Sequence, residues 1–131
     1  MGAGSSFEAV RPVLVCLHGF AQRGESWRAV AALLAQRGWE VAAPDLTALA
    51  GGAGDPFDAV CDGVTTFVRD VFRQTGRRPI LVGYSMGGRI ALEAAIRAQR
   101  LRDGADELLP ISALVLESAG LGPADDGGRE E

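Results

Sequence analysis

Pro79-Ile80-Leu81-Val82-Gly83-Tyr84-Ser85-Met86-Gly87-Gly88-Arg89 is the stretch on which the fold turns. Its first six residues form a short apolar run of the kind a strand covered on both faces requires. From Met86 to about Arg100 the chain is rich in Ala and reads as a helix. Between the two lies Gly83-Tyr84-Ser85-Met86-Gly87, a G-x-S-x-G pattern in the strand-to-helix setting that a nucleophile elbow needs. So tight a turn leaves no room for side chains two positions either side of the serine. It also holds Ser85 in a strained backbone conformation with its hydroxyl above the sheet. The helix start behind it offers unpaired N–H groups and partial positive charge to a developing oxyanion.

Working outward, strand and helix alternate along the chain. Pro12 to Leu17 reads as a first strand, broken at His18-Gly19. A helix is expected from about Trp27, with Trp27, Val30, Ala31 and Leu34 on one stripe and Gly38 as its closing residue. Glu40 to Ala43 is a weak second strand stopped by Pro44-Asp45, and residues 46–55 read as a small-residue loop. Asp55-Pro56 is an N-cap followed by proline at the first helical position. The helix it opens has the cleanest stripe in the chain: Phe57, Val60, Cys61, Val64, Phe67, Val68, Val71 and Phe72, closed by Gly76. A polar stretch, 102–107, leads to a last strand, Ile111 to Glu117.

This alternation implies a parallel sheet with right-handed crossovers and helices on both faces, an α/β fold. If the first two crossovers cover opposite faces, the strand order is 2-1-3-4. Ligands bind such sheets beyond the carboxyl ends of the strands where the order reverses, here between strands 1 and 3. The turns at His18-Gly19-Phe20 and at Ser85 meet there. Residues 1–11 are expected to be a flexible N-terminus, 12–118 the core domain, and 119–131 a disordered tail or the start of a lid region.

Composition narrows the chemistry. The 131 residues carry 13 basic and 17 acidic groups, a formal charge of −4, and 47% hydrophobic residues, the profile of one globular domain. Every basic residue is Arg. That removes a Lys nucleophile, a pyridoxal Schiff base and a Walker-type phosphate loop. Lacking a basic surplus, the chain is not expected to bind nucleic acid. No apolar run approaches the ~20 residues of a membrane span, and no signal peptide opens the chain, so a cytoplasmic location is expected. There is one histidine, His18, which excludes any metal site needing two imidazoles from this chain. Cys16 and Cys61 lie in apolar runs without CxxC spacing and read as buried small hydrophobes. Neither a metal nor a cofactor is expected.

In an elbow setting the loop after the first strand lends a backbone N–H to the oxyanion, here that of Phe20, beside that of Met86. His18 reads as a loop-ordering residue with Gly19; the alternative role, catalytic base, is the weaker one. Arg89, near the start of the third helix, has two readings: a bidentate clamp for a substrate carboxylate, or a solvated helix arginine. Asp45 reads as a turn cap. Tyr84 and Trp27 are candidate pocket residues, with a core role open for Trp27.

Leu17-His18-Gly19-Phe20 with Gly24-Glu25-Ser26-Trp27, the block from Leu81 to Leu92, and Leu116-Glu117-Ser118-Ala119-Gly120-Leu121 together resemble the α/β-hydrolase superfamily. Within it, Gly-Tyr-Ser-Met-Gly-Gly-Arg and Glu-Ser-Ala most resemble the 2-succinyl-6-hydroxy-2,4-cyclohexadiene-1-carboxylate synthase family of menaquinone biosynthesis. The resemblance implies a cofactor-free lyase in which a histidine-activated serine abstracts a proton and pyruvate is eliminated. It implies Ser85 as the catalytic serine, Phe20 and Met86 as oxyanion donors, and Arg89 as a carboxylate contact. The chain departs from the family at Asp45-Leu46, followed by Thr47-Ala48-Leu49-Ala50 where the family has Pro-Gly-His-Gly. It departs again at Gly120-Leu121-Gly122-Pro123, a reordering of Pro-Gly-Leu. The family's lid, later strands, acidic triad member and catalytic histidine are expected beyond the fourth strand.

Three expectations follow for the 131 residues. The first is a shortened enzyme that is inactive alone, or a generic hydrolase or esterase of the same fold. The second is a non-catalytic module that holds a small carboxylate through Arg89. The third is one part of a split enzyme, with a second polypeptide or another copy pairing along the exposed strand 111–117.

Overall fold

The computed structural model describes residues 11–50, 54–100 and 108–120. Four strands, β1 (Val13–Leu17), β2 (Glu40–Ala42), β3 (Ile80–Tyr84) and β4 (Ala113–Glu117), form one parallel sheet in the order β2-β1-β3-β4. The helices are α1 (Arg28–Ala35), the one-turn α2 (Leu46–Leu49), α3 (Pro56–Thr75) and α4 (Met86–Arg100). From β1 the chain steps outward to β2, then returns past β1 to β3. Right-handed crossovers therefore put α1 on one face and α3 on the other. The order reverses between β1 and β3, where the two turns of interest leave the sheet.

The main core lies between the sheet and the pair α3 and α4. Val13, Val15, Leu17 and Leu81 meet Cys61, Val64, Val68, Val71, Ile90, Ala91, Ala94 and Ala98 there, all buried. Local chemistry fixes both ends of α3. The Asp55 carboxylate accepts the Phe57 amide at 2.7 Å, Pro56 stands at N1, and Gly76 ends the helix at φ 72°. Arg97 of α4 ties the two helices together through Asp58 at 2.7 Å and Glu93 at 2.9 Å. These carboxylates, Glu93 foremost, push the guanidinium further above its already high range.

Four expectations differ from what is observed. The helix expected from Trp27 starts as a 3₁₀ turn, Gly24–Trp27, and α1 buries none of its residues fully. Val30 and Leu33 are exposed, because an apolar stripe is hidden only as far as the sheet beneath it extends, and β2 is three residues long. The loop expected at 46–55 opens with α2, whose Leu46 is buried in the core. Phe57, expected in the core stripe of α3, is 42% exposed, since the first turn of that helix overhangs the carboxyl edge of the sheet. The outer rim of β4 pairs with no other strand among the described residues, and Val115 on it is 48% exposed. Ala119, which the sequence reading placed in the tail, is buried. The tail from residue 121 and the N-terminus through residue 10 lie outside the described residues, as does 101–107.

Cys16 and Cys61 are free and buried. Burial pushes both thiols from an ordinary value of 9.0 up to about 11, with Arg97 pulling slightly the other way on Cys61. A raised folded-state value means the stabilising difference is whole below pH 9 and drains away as pH rises through 11. The urea midpoint should therefore fall between pH 9 and pH 11, and fall less steeply in the Cys16→Ala/Cys61→Ala double variant. Identical slopes would show that the thiols are not responsible.

Candidate active site

At the carboxyl end of β3 the chain turns through Ser85 and enters α4. Ser85 has φ 55°, a left-handed conformation that is strained for a side-chain-bearing residue. The turn is held by its own backbone. The Ser85 carbonyl accepts from the amides of Gly88 at 2.9 Å and Arg89 at 3.2 Å, while the Ser85 amide donates to the Glu117 carbonyl at 2.8 Å. The end of β4 thus braces the elbow from the side.

The glycines around it are required by contact distance. A methyl on Gly83 would stand 2.5 Å from the Gly87 carbonyl oxygen and from the Gly88 Cα. One on Gly87 would stand 2.4 Å and 2.5 Å from the carbonyl oxygens of Leu17 and His18. One on Gly88 would stand 2.8 Å from the Ala119 methyl. The elbow is therefore pressed directly onto the end of β1, with backbone against backbone.

The β1 loop is tethered as closely. His18 is buried; its Nε2 accepts the Leu46 amide at 2.9 Å, and its Nδ1 lies 2.9 Å from the Gly19 carbonyl oxygen. Nε2 is then the acceptor and Nδ1–H the donor, which fixes a neutral tautomer. Both ring nitrogens are spent on the backbone, so this imidazole is not available to take a proton from Ser85. Asp45, expected to cap its own turn, instead accepts the distant Gly24 amide at 2.5 Å and makes no side-chain cap on the helix it precedes. Asp45 and Leu46 thereby hold both ends of the segment between His18 and Gly24.

Phe20, Phe57, Ser85, Met86, Arg89 and Ala119 line one cavity of about 460 Å³. Four of the sequence-predicted residues, Ser85, Phe20, Met86 and Arg89, therefore come together. Met86 is the first residue of α4, so its amide has no intrahelical acceptor. Among the described residues, no carbonyl or side chain accepts from the Phe20 amide either, and no carboxylate pairs with Arg89. Tyr84 is outside this lining, and its ring lies against Gly19, 3.0 Å from where a methyl on that residue would stand. Trp27 is half-buried and also outside it.

Sequence reasoning missed Phe57 and Ala119 as wall residues. Nothing in a core-like stripe marks Phe57 as overhanging the sheet, whereas the Glu117-Ser118-Ala119 block was a signal for Ala119. The ring of Phe57 is backed by the Arg97 guanidinium, 5.6 Å from its centroid. A larger groove of about 600 Å³ runs along α3, edged by Asp55, Asp58, Asp62 and Asp70. Its lining offers Thr66 and these carboxylates but no residue in the strained conformation of Ser85. Among the described residues, no three His, Cys, Asp or Glu side chains come together as metal ligands.

A strained serine between a parallel strand and a helix, at the reversal of the sheet and in one cavity with Phe20, Met86 and Arg89, has the geometry of a nucleophile elbow. A sequence model of the Alpha/beta hydrolase family matches residues 14–130, and the chain belongs to that family. It is 32% identical over 127 residues to the 2-succinyl-6-hydroxy-2,4-cyclohexadiene-1-carboxylate synthase of Serratia proteamaculans (strain 568), over 94% of this chain and 44% of that protein. It is 37% identical over 76 residues to the pyrethroid hydrolase of Sphingobium wenxiniae, over 57% of this chain and 27% of that one. A methylesterase from Arabidopsis shares the fold, with a TM-score of 0.63 at 22% identity over 85% of this chain and 44% of that one. The chain spans less than half the length of these relatives.

Gly83→Ala should lower unfolding free energy by about 1–3 kcal/mol, the usual cost of forcing extra volume into a packed site. Gly76→Ala makes the comparison, because a methyl there meets nothing within 4 Å and only its φ of 72° resists the change. Urea titration of both variants should separate the clash at Gly83 from backbone strain alone. Equal stability of Gly83→Ala and the parent would refute the close approach.

Proposed function

We propose that this chain carries the serine elbow, the oxyanion donors and the anion contact of a cofactor-independent α/β-hydrolase-family lyase. The chemistry we assign is that of the synthase it resembles: proton abstraction from a small carboxylate substrate, followed by elimination of pyruvate. The observation that carries the reading is the single cavity lined by Ser85, Phe20, Met86 and Arg89. The synthase match over 94% of the chain favours the lyase over a generic esterase, the alternative that the shorter pyrethroid hydrolase match supports.

In this reading the Ser85 oxygen faces the substrate, and negative charge developing on a substrate oxygen is met by the two amides. The Arg89 guanidinium holds a carboxylate in its planar fork. Abstraction requires a base that first takes the serine proton, since a free hydroxyl is a poor base and a poor nucleophile at neutral pH. The sole imidazole in the 131 residues is His18, whose nitrogens are occupied. We therefore expect the isolated 131-residue chain to have negligible turnover.

Hydrolysis of an activated aryl ester by the pure chain should equal that of Ser85→Ala, both close to the buffer rate. Serine-dependent turnover clearly above that level would overturn the assignment of His18 to the backbone. That no carboxylate among the described residues pairs with Arg89 also supports anion binding without catalysis. Benzoate binding, followed by amide shifts in NMR, should weaken about tenfold or more in Arg89→Ala and stay unchanged in Ser85→Ala. Equal affinity in Arg89→Ala and the parent would remove Arg89 from the site.

A further inference from the structure

We propose that Gln22 is a positioning residue that aims the Phe20 amide into the Ser85 cavity. The inference rests on the oxyanion reading above and adds the group that sets the donor's direction.

The peptide joining Gly19 to Phe20 carries the Gly19 carbonyl and the Phe20 N–H in one plane. In a trans peptide the two point in opposite directions, and no cis bond occurs among the described residues. Whatever fixes the carbonyl therefore fixes the N–H. Two donors converge on that carbonyl oxygen: the Gln22 amide at 3.2 Å and His18 Nδ1–H at 2.9 Å. The same glutamine then closes the loop from its other end, its side-chain Oε1 accepting the Gly19 amide at 3.0 Å. One residue thus grips both polar groups of Gly19, while the buried His18 ring adds the third bond.

Placement agrees with this role. A methyl on Gly19 would stand 3.2 Å from Gln22 Oε1 and 3.2 Å from Ser85 Cβ, so Gly19 lies between the glutamine and the serine. Among the described residues the Gly19, Gln22 and Gly24 amides all have acceptors, whereas the Phe20 amide has none, and Phe20 lines the cavity. Gln22 thereby withdraws the neighbouring donor, Gly19, and leaves Phe20 to serve the oxyanion. Without its side chain the Gly19 amide would lose its acceptor, and the His18–Gly19 peptide would be freer to rotate, carrying with it the Gly19 carbonyl and the Phe20 peptide that follows. Nothing in the motif reading had singled out Gln22. A glutamine five residues past a strand looks like an ordinary surface residue until its side-chain carbonyl oxygen is seen turned back onto the loop.

Phenylboronic acid provides a readout that does not need turnover. In mildly alkaline buffer the tetrahedral hydroxide adduct of the boronate exchanges one hydroxyl for the Ser85 oxygen and releases water, a step that needs no protein base, and a boron-bound oxygen then occupies the oxyanion position. With the 15N-labelled 131-residue chain, the boronate should shift the Phe20 and Met86 amides, and Ser85→Ala should abolish the response. Gln22→Leu should weaken boronate binding about tenfold and remove the Phe20 shift while sparing that of Met86. Gln22→Glu keeps an acceptor for the Gly19 amide and should bind within about twofold of the parent.

The outcomes separate the two layers of the argument. If neither the parent nor Ser85→Ala responds to the boronate, or both respond alike, the oxyanion reading fails, and this proposal with it. If the parent responds through Ser85 and Gln22→Leu retains the full Phe20 shift, the glutamine has no positioning role. Should Gln22→Leu fail to fold, Gln22→Glu decides: retention of the Phe20 shift supports the proposal, and its loss from a folded protein refutes it.

Discussion

Backbone meets backbone where α4 starts. The carbonyl oxygens of Leu17 and His18 occupy the space into which any side chain at Gly87 would project, and the Gly87 carbonyl does the same for Gly83. Because interiors are packed as densely as organic crystals, an approach of this kind permits one arrangement and little else. It seats the strained serine against the end of β1, and it brings the β1 loop within reach of that serine. The bond from the Ser85 amide to the Glu117 carbonyl then braces the turn from the strand on the other side. The strain at Ser85 persists because its surroundings over-determine it.

The polar arrangement around the elbow follows a complementary logic. A buried imidazole with two backbone partners costs little and holds a loop firmly, since both of its hydrogen-bonding atoms are satisfied. The same satisfaction removes His18 from proton transfer. Asp45 and Leu46 occupy the positions where the family's rewritten segment begins, yet they perform a structural task here: one accepts from Gly24 and the other donates to His18. The chemistry-bearing cavity is thus built by groups that cannot themselves supply a base.

Much of the architecture was legible in the sequence because it rests on strong, local signals. The order β2-β1-β3-β4 followed from alternation and crossover handedness. The ends of α3 followed from Asp55-Pro56 and Gly76, residues whose backbone chemistry leaves few alternatives. The elbow was legible because the glycine spacing is itself the record of the contacts. What escaped notice depended on distance in space. The exposure of Val30 and Leu33 is set by how wide the sheet is beneath α1, and that of Phe57 by where α3 ends relative to the strands. Gln22 and the wall residue Phe57 gain their places only once the loop and the helix are set side by side. No periodicity reports such a juxtaposition.

The anchoring of the β1 loop to Asp45 and Leu46 has a consequence for the way this protein would loosen. Those two residues sit just beyond β2, a three-residue strand paired on one side only at the margin of the sheet. Marginal strands of that length open at far lower free energy than the centre of a domain. Each such excursion would release both moorings of the loop at once, leaving α3, α4, β3 and β4 packed. Order around the serine is therefore rationed by the shortest of the four described strands, and the cavity's geometry can blur long before the protein melts.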